Sequence, residues 1–351
     1  MKLDASVRHV RWRSPLRAAH ATDELAPPPP RPLVLVRVES ADGAVGYGEA
    51  APLAEYDGIT LDAVVEALRL CEPVIARARD RPHAQLLAEC AAVAPLPQAL
   101  AAIDLALWDL AGQRAGQPIW QLLGADLPPV VEVNAVIGAE EPARAANQAR
   151  HAIGRGIESI KLKVGVGDDL DRVRAVRAAV GPQVSLRIDA NGAWLLDQAI
   201  ETLRTLSDFG IELCEEPVHG VFGIAAVARA LPHLSIAADE TGADPTLFKV
   251  RVCNSICLKI SRCGGISGVL RDAVAARNVG YDVYLASTMD GPLGIAAALH
   301  VAAVVEPTRA CGLATLERFE APEVLQIGAG RLSPPPGSGL GEGLVGWYDS
   351  L

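Results

Sequence analysis

Between Ile160 and Gly294, short apolar runs keep ending in charge: Ser159-Ile-Lys161-Leu-Lys163-Val-Gly165, Leu186-Arg187-Ile-Asp189-Ala-Asn191-Gly192, Leu213-Cys-Glu215-Glu216-Pro217, Ile236-Ala-Ala-Asp239-Glu240 and Ile256-Cys-Leu-Lys259-Ile-Ser261. The steps from Lys163 to Asp189, Glu215, Asp239 and Lys259 are 26, 26, 24 and 20 residues. One strand, one crossover helix and two loops occupy about that length, so the run reads as successive β/α units of a parallel barrel. In such a barrel the functional groups gather at the C-terminal strand ends, where these charges fall.

Side chains alternate along a strand, so Lys161 and Lys163 share one face while Leu162 takes the other. Arg187, Asp189 and Asn191 likewise share a face. Two neighbouring strands thus aim five polar groups into one mouth, and buried charges left unpaired cost several kcal/mol each. A divalent cation held by Asp189, Glu215 and Asp239 would compensate them. An all-oxygen donor set points to Mg2+, with Mn2+ as the alternative, and away from zinc. Mg2+ would hold a substrate carboxylate and the enediolate formed when its α-proton leaves. Lys163, beside Lys161, is the candidate base. Lys259, on the fifth unit counting from that of Lys163, faces it across the substrate. A lysine base needs its pKa lowered from about 10.4 to about 7–8, and a neighbouring ammonium, a cation and burial all act in that direction. Any one of these acids or lysines alone reads as a structural ion-pair member; their ordered recurrence at unit spacing argues against that.

The flanking sequence supplies a smaller unit. Leu33–Ser40, the turn Ala41-Asp-Gly-Ala44 and Val45–Glu49 read as a β-hairpin. Before it runs a polar loop, Glu24-Leu-Ala-Pro27-Pro-Pro-Pro30, whose prolines favour an extended semi-rigid segment, either a spacer or a lid over the barrel mouth. Leu61–Ala76, Arg81–Ala94 and Pro97–Ala111 carry helical periodicity. Asp104 and Asp109 on the third read as solvated or capping acids. The barrel begins at Val130–Ala135, with Pro142–Gly154 as its first helix and Ile295–Val305 as a late one. The Gly/Pro-rich tail from Arg331 packs back on the N-terminal part.

The 351 residues carry a net charge of -10, mean hydropathy of +0.23 and seven cysteines. The acidic balance excludes a nucleic-acid partner, which demands basic patches. The apolar runs are too short for a membrane span, and Met1-Lys-Leu-Asp-Ala-Ser6 lacks the features of a signal peptide. Cysteines without framework spacing fit a cytoplasmic chain, and Cys253-x3-Cys257 reads as buried thiols instead of a zinc pair.

Lys-x-Lys, Asp-x-Asn-Gly, Glu-x-Pro, Ala-Asp-Glu and Leu-Lys-Ile-x-x-x-Gly-Gly, in that order, resemble the enolase superfamily in its muconate-lactonizing-enzyme subgroup. Val45–Pro52 and Ala102–Asp109 resemble its capping region. The resemblance implies an α/β fold, a modified (β/α)7β TIM barrel over residues 129–315. An N-terminal α+β capping domain, residues 1–128, would be completed by the tail 316–351. It implies Asp189, Glu215 and Asp239 as metal ligands and Lys163 and Lys259 as the acid/base pair, with Lys161 and Arg187 beside them. Glu215, not Glu216, is the expected ligand. Asn191, Glu240, Ser287 and Asp290 are candidates for substrate contact or support of the site. A homo-oligomer and a small-molecule carboxylate substrate are further expectations.

Within that subgroup, Arg187-x-Asp-x-Asn191, Gly48-Glu-Ala-Ala-Pro52 and Ala310–Thr315 lean toward syn-dehydration, as in o-succinylbenzoate synthases. The Asp-x-Asp pair that binds a substrate ammonium in dipeptide epimerases is absent. Dipeptide epimerase, N-acylamino acid racemase and muconate-type cycloisomerase are the alternatives, and a non-catalytic ligand-binding barrel is the reading of a different class.

Overall fold

In the computed structural model, residues 1–19, 28–78 and 81–351 are described. Strands β1 (Lys2–Val10), β2 (Arg31–Glu39) and β3 (Val45–Ala50) form an antiparallel sheet in chain order. Its hairpin turn closes with Gly43 at φ +82° and the Ser40 amide bonded to Ala44 O. The helices α1 (Ala54–Asp57), α2 (Leu61–Ala76), α3 (His83–Val93) and α4 (Pro97–Ala115) follow. Strand β2 is buried on both sides, and its period of two sorts the core. Val34, Val36 and Val38 pack among the cap helices, whereas Leu33 and Leu35 join the larger cluster that runs through the barrel.

Helix α4 is apolar nearly all round and lies directly on β3. Gly46 and Gly48 permit the approach: a Cβ at Gly48 would run into the Ala102 carbonyl, and one at Gly46 into the Ala106 carbonyl and the Leu110 amide nitrogen. Neither acid on α4 is solvated. Asp104 accepts from the Ser267 amide (3.0 Å) and hydroxyl (2.6 Å), capping another helix from outside, and Asp109 accepts from the amides of Tyr47 and Leu340, both at 2.8 Å. Both are buried because helix α4, apolar nearly all round, is enclosed on every side.

After α5 (Ile119–Leu122) and the short β4 (Val131–Glu132), seven parallel strands follow: β5 (Asn134–Ile137), β6 (Ser159–Lys163), β7 (Ser185–Asp189), β8 (Ile211–Glu215), β9 (Ser235–Ala238), β10 (Ser255–Lys259) and β11 (Asp282–Ala286). They pair in that order. Parallel bridges Ala286↔Gly312 and Val133↔Cys311 use the segment after β11 to close the curled sheet, the place of the eighth strand. Between the strands run α6 (Pro142–Gly154), α7 (Asp169–Val180), α8 (Leu196–Ser207), α9 (Val221–Ala230), α10 (Ile260–Cys263) and α11 (Ile266–Val279), and α12 (Pro292–Val305) follows β11. The fold is a capped TIM-barrel-like α/β fold. The tail adds β12 (Arg331–Leu332), antiparallel to β4, and α13 (Leu344–Asp349), whose Tyr348 hydroxyl donates to Glu49 on β3. No helix among the described residues is long and apolar enough to cross a membrane.

His300 lies buried on α12. Its Nδ1 accepts the Trp120 amide at 3.3 Å, so Nε2 carries the proton and donates to Leu340 O at 3.2 Å. Burial depresses its pKa to about 4, since a second proton would face the Trp120 N–H. Above about pH 6.5 the ring is neutral in folded and unfolded chains alike. As pH falls from there toward 4, the unfolded chain binds the proton first, so stability drops by up to about 1.4 kcal/mol per pH unit. In urea unfolding followed from pH 7 to pH 4, the His300→Gln variant is expected to show a correspondingly shallower slope. An unchanged slope would contradict the assignment.

Candidate active site

The parallel register lines up the predicted groups: Lys161 pairs with Arg187, Lys163 with Asp189 and Asp189 with Glu215, while Asp239 is the first residue beyond β9. Ile160 and Leu162 point outward into the apolar core, which turns Lys161 and Lys163 inward. Lys163 ends β6 and Lys259 ends β10. Between those two strands lie β7, β8 and β9, the strands that carry the three acids.

The three lysines, Lys161, Lys163 and Lys259, and the three acids, Asp189, Glu215 and Asp239, are all buried and engage one another. Lys161 Nζ contacts Asp189 Oδ2 at 2.8 Å and bonds Glu215 Oε1; Lys163 Nζ donates to Asp189 Oδ2 at 2.6 Å and Asn191 Oδ1 at 2.7 Å. Lys259 Nζ donates to Asp239 Oδ2 at 2.7 Å. The second oxygen of Glu215 accepts from Tyr284 (2.7 Å), and that of Asp239 from Tyr56 of the cap (2.7 Å). Asn191 spans Lys163 and Glu240, donating to Glu240 Oε1 at 2.8 Å. Left-handed backbone at Asn191 (φ +46°) and Glu216 (φ +39°) turns the chain sharply after β7 and β8.

The twin carboxylates 215 and 216 have separate surroundings. Glu216 accepts from the Asp239 amide (2.8 Å) and from the amide (3.0 Å) and hydroxyl of Thr241, so it builds the loop that presents Asp239. Glu215 faces the barrel interior. One oxygen each of Glu215 and Asp239 lies within 4.8 Å of the other and of Cys257 Sγ. Burial pushes the Cys257 thiol well above its ordinary value, which keeps it neutral and leaves the donors to oxygen. The Lys161 ammonium already touches two of the three acids, and Glu240 Oε2 is a buried oxygen without a hydrogen-bond partner. Carboxylate donors with a positive charge among them fit a hard divalent cation.

Burial works to lower the lysines, yet Asp189 and Glu215 hold Lys161, and Asp239 holds Lys259, above the ordinary amine value. Three carboxylates outweigh desolvation here, and a bound divalent ion would reverse that field. Burial and the neighbouring acids raise Glu215 to about 7 and Glu240 to about 8, while Lys161 opposes the rise at Glu215.

Above these groups opens a cavity of about 580 Å³ lined by Lys161, Lys163, Asp239, Lys259 and Ser287. Its outer walls bring in Trp12, Leu16, Leu53, Val136 and Met289, with Arg17, Glu55, Glu140 and Arg144 toward the rim. Of the expected lid, residues 20–27 lie outside the described residues. Pro28 lines the cavity, and Trp12 Nε1 donates to Pro29 O at 3.0 Å.

Two predicted site residues fall elsewhere. Arg187 is one pleat below Asp189, so its guanidinium reaches the barrel floor, donating to Glu212 and, at 2.6 Å, to Ala310 O. It also lies 5.7 Å from the ring centre of Tyr284, the residue that holds Glu215. Asp290 does not line the cavity. It accepts from Thr288 at 2.7 Å and lies buried near Glu49 and Arg31, because the chain turns at Met289 (φ +58°). Tyr56, Tyr284, Arg262 and Thr241 were not singled out from sequence. None of them ends a strand with a charge, so the pattern that revealed the lysines and acids passes over them.

The chain matches two families along its length: residues 2–124 match the mandelate racemase / muconate lactonizing enzyme N-terminal domain, and residues 144–344 the enolase C-terminal domain-like family. It is 31% identical over 322 residues to a D-Ala-D/L-Ala epimerase of Cytophaga hutchinsonii, covering 88% of each chain. An o-succinylbenzoate synthase of Thermobifida fusca is 33% identical over a shorter 228 residues, 62% of this chain and 69% of that one. The crystal structure of a dipeptide epimerase from Enterococcus faecalis, complexed with Mg and the dipeptide L-Leu-L-Tyr, superposes with a TM-score of 0.88 at 28% identity. The match covers 97% of this chain and 98% of that one.

Placing Arg187 in the floor makes a separable prediction. Arg187→Met removes the buried partner of an ion pair whose carboxylate, Glu212, is partly exposed and also held by Arg309, and is expected to lower stability by about 1–3 kcal/mol in urea unfolding. Mg2+ affinity measured by calorimetry should stay as it was. A loss of Mg2+ affinity with unchanged stability would put Arg187 back in the site.

Proposed function

Because this chain belongs to the mandelate racemase / muconate lactonizing enzyme family and is an enolase-superfamily enzyme, we propose that it moves a proton at the α-carbon of a carboxylate by two-base chemistry, epimerising an amide-linked amino acid such as the C-terminal residue of a dipeptide or an N-acylamino acid. The observation that carries the reading is the placement of Lys163 and Lys259 on opposite sides of the three acid-bearing strands. Similarity over most of the chain to dipeptide epimerases supports it further. It displaces the syn-dehydration first favoured by the motifs, since one of those motifs rested on Arg187, which faces the barrel floor.

In this reading Asp189, Glu215 and Asp239 hold Mg2+ (or Mn2+). The ion, when bound, neutralises the substrate carboxylate and the charge that builds on it as the α-proton leaves. One lysine, neutral, takes the α-proton from its face, and the other, as the ammonium, returns a proton to the opposite face. Protons balance and the configuration inverts. Asn191 holds Lys163, and Glu240 holds Asn191 in turn. The apolar walls around Trp12, Leu16, Leu53 and Met289 would seat an acyl group or a hydrophobic side chain away from water. Residues 1–128 with the tail 316–351 act as the cap, and 129–315 as the catalytic barrel.

The test is proton NMR in D2O with Mg2+, using L-Leu-L-Tyr, L-Leu-D-Tyr and both enantiomers of N-acetyl-leucine. Wild type is expected to exchange and invert the α-proton. Lys163→Ala and Lys259→Ala should each abolish inversion while each keeps exchange for one isomer only, and a variant that still inverts at the wild-type rate would sink the assignment. Chelation should stop the reaction, with Mg2+ restoring it. Aromatic product from the cyclohexadiene precursor of o-succinylbenzoate, with no exchange in the amino acid derivatives, would transfer the protein to the dehydratases.

A further inference from the structure

Lys163 is gripped by barrel groups, Asp189 and Asn191, whereas Lys259 is gripped by Asp239 and by a hydroxyl from the cap. That hydroxyl belongs to Tyr56, and its three bonding positions are filled. It accepts from Lys259 Nζ at 2.6 Å and from Arg262 Nη1 at 3.1 Å, and it donates to Asp239 Oδ1 at 2.7 Å. Arg262 is fixed in turn, donating to the carbonyls of Asp239 (3.0 Å) and Glu240 (2.9 Å). The phenol is delivered by a rigid turn. Gly58, at φ +74°, donates its amide to Ala54 O (3.0 Å), and Asp57 is tied to the Ile59 amide (3.0 Å) and to Gln98 of α4 (2.7 Å).

We infer that Tyr56 is a positioning residue that aims Lys259, and Lys259 alone, at the substrate. An amine nitrogen has four tetrahedral directions. One is its own Cε and two are taken by bonds to Tyr56 and Asp239, which leaves the fourth for the cavity that Lys259 lines. Whether that fourth position is a lone pair or an N–H, its direction is set by the two anchors. Without the hydroxyl, one anchor remains and the nitrogen can swing about it. No comparable cap group holds Lys163 among the hydrogen bonds described. The defect therefore has a face: protons moved by Lys259 suffer and protons moved by Lys163 do not. This rests on the two-base reading above for its kinetic readout but not for its chemical one.

The experiment is Tyr56→Phe, which keeps the ring and removes the oxygen. With Mg2+ in D2O, exchange is followed for L-Leu-L-Tyr and L-Leu-D-Tyr, the isomer served by Lys259 being the one silenced in Lys259→Ala. For that isomer exchange is expected to slow about 10²-fold, the usual cost of misaiming a catalytic group, with the other isomer keeping its wild-type rate. In parallel, the Mg2+-loaded proteins are treated with an amine-acylating reagent and mapped by peptide mass spectrometry. Lys259 should label faster in the variant and Lys163 should not. Equal slowing of both isomers together with weakened Mg2+ binding in calorimetry would assign Tyr56 to the metal site through Asp239 and overturn the inference. Unchanged labelling and unchanged exchange would also overturn it. If wild type exchanges neither isomer, the two-base reading fails, and the labelling of Lys259 still decides the role of Tyr56.

Discussion

Three lysines and three carboxylates buried in one barrel mouth cannot be arranged independently. Each alone would lose several kcal/mol on leaving water. Here each ammonium lies against at least one carboxylate, and Asp189 serves two. The arrangement follows from the pleat: strands that need apolar residues facing the helices have only their inward positions left for charge, and parallel register stacks those positions at one level. The same constraint explains why second oxygens are so carefully occupied. Tyr284 holds Glu215, Tyr56 holds Asp239 and the Asn191 amide holds Asp189, so none of the acids can rotate freely.

The cap is bound to this cluster by a second buried group that carries charge but does not line the cavity. Arg31, at the start of β2, donates to the carbonyls of Ala51 and Thr288 at 3.0 and 2.9 Å, and also to that of Pro52. It thereby staples the cap hairpin to the loop after β11. Glu49 accepts from the Gly291 amide (2.7 Å) and from Tyr348 of the tail. Burial and the nearby Asp290 push Glu49 up to about 8, well above the ordinary carboxylate range. Ser287, Thr288 and Met289, which line the cavity, sit on the stapled loop, so the cap and tail set the shape of the substrate wall from behind.

The barrel was legible because its signal is periodic. Charge at strand ends every 20–26 residues survives loop variation, and helix α6 (Pro142–Gly154) was readable to the residue. Alternation also told inward from outward faces correctly for Lys161, Lys163 and Asp189. It could not tell depth. Arg187 shares a face with Asp189 yet lies a pleat lower, and only the three-dimensional neighbourhood of Glu212 and Ala310 shows that this puts it in the floor. Asp290 stands off the cavity, behind Thr288, for another reason: one left-handed residue, Met289, redirects the chain, and φ at a methionine is not written in composition. Tyr56 was illegible because its partners are 183 and 203 residues away across the join between cap and barrel.

That long-range contact bears on how a barrel with one ligand set could support different reactions. Barrel groups hold Asp189, Glu215 and Lys163, so these would be common to any substrate, whereas Asp239 takes one of its bonds from Tyr56 of the cap. Lys259 differs, since one of its two anchors rides on a four-residue turn of the cap, next to Leu53 and Glu55, which line the cavity. A change in that turn alters the wall seen by the substrate and the aim of one lysine together. A reaction that needs a proton carrier on both faces demands that the two be matched. One that needs a base on the Lys163 face alone places no such demand on Tyr56. The investment of a fully bonded phenol at Lys259 therefore fits chemistry in which that second face is used.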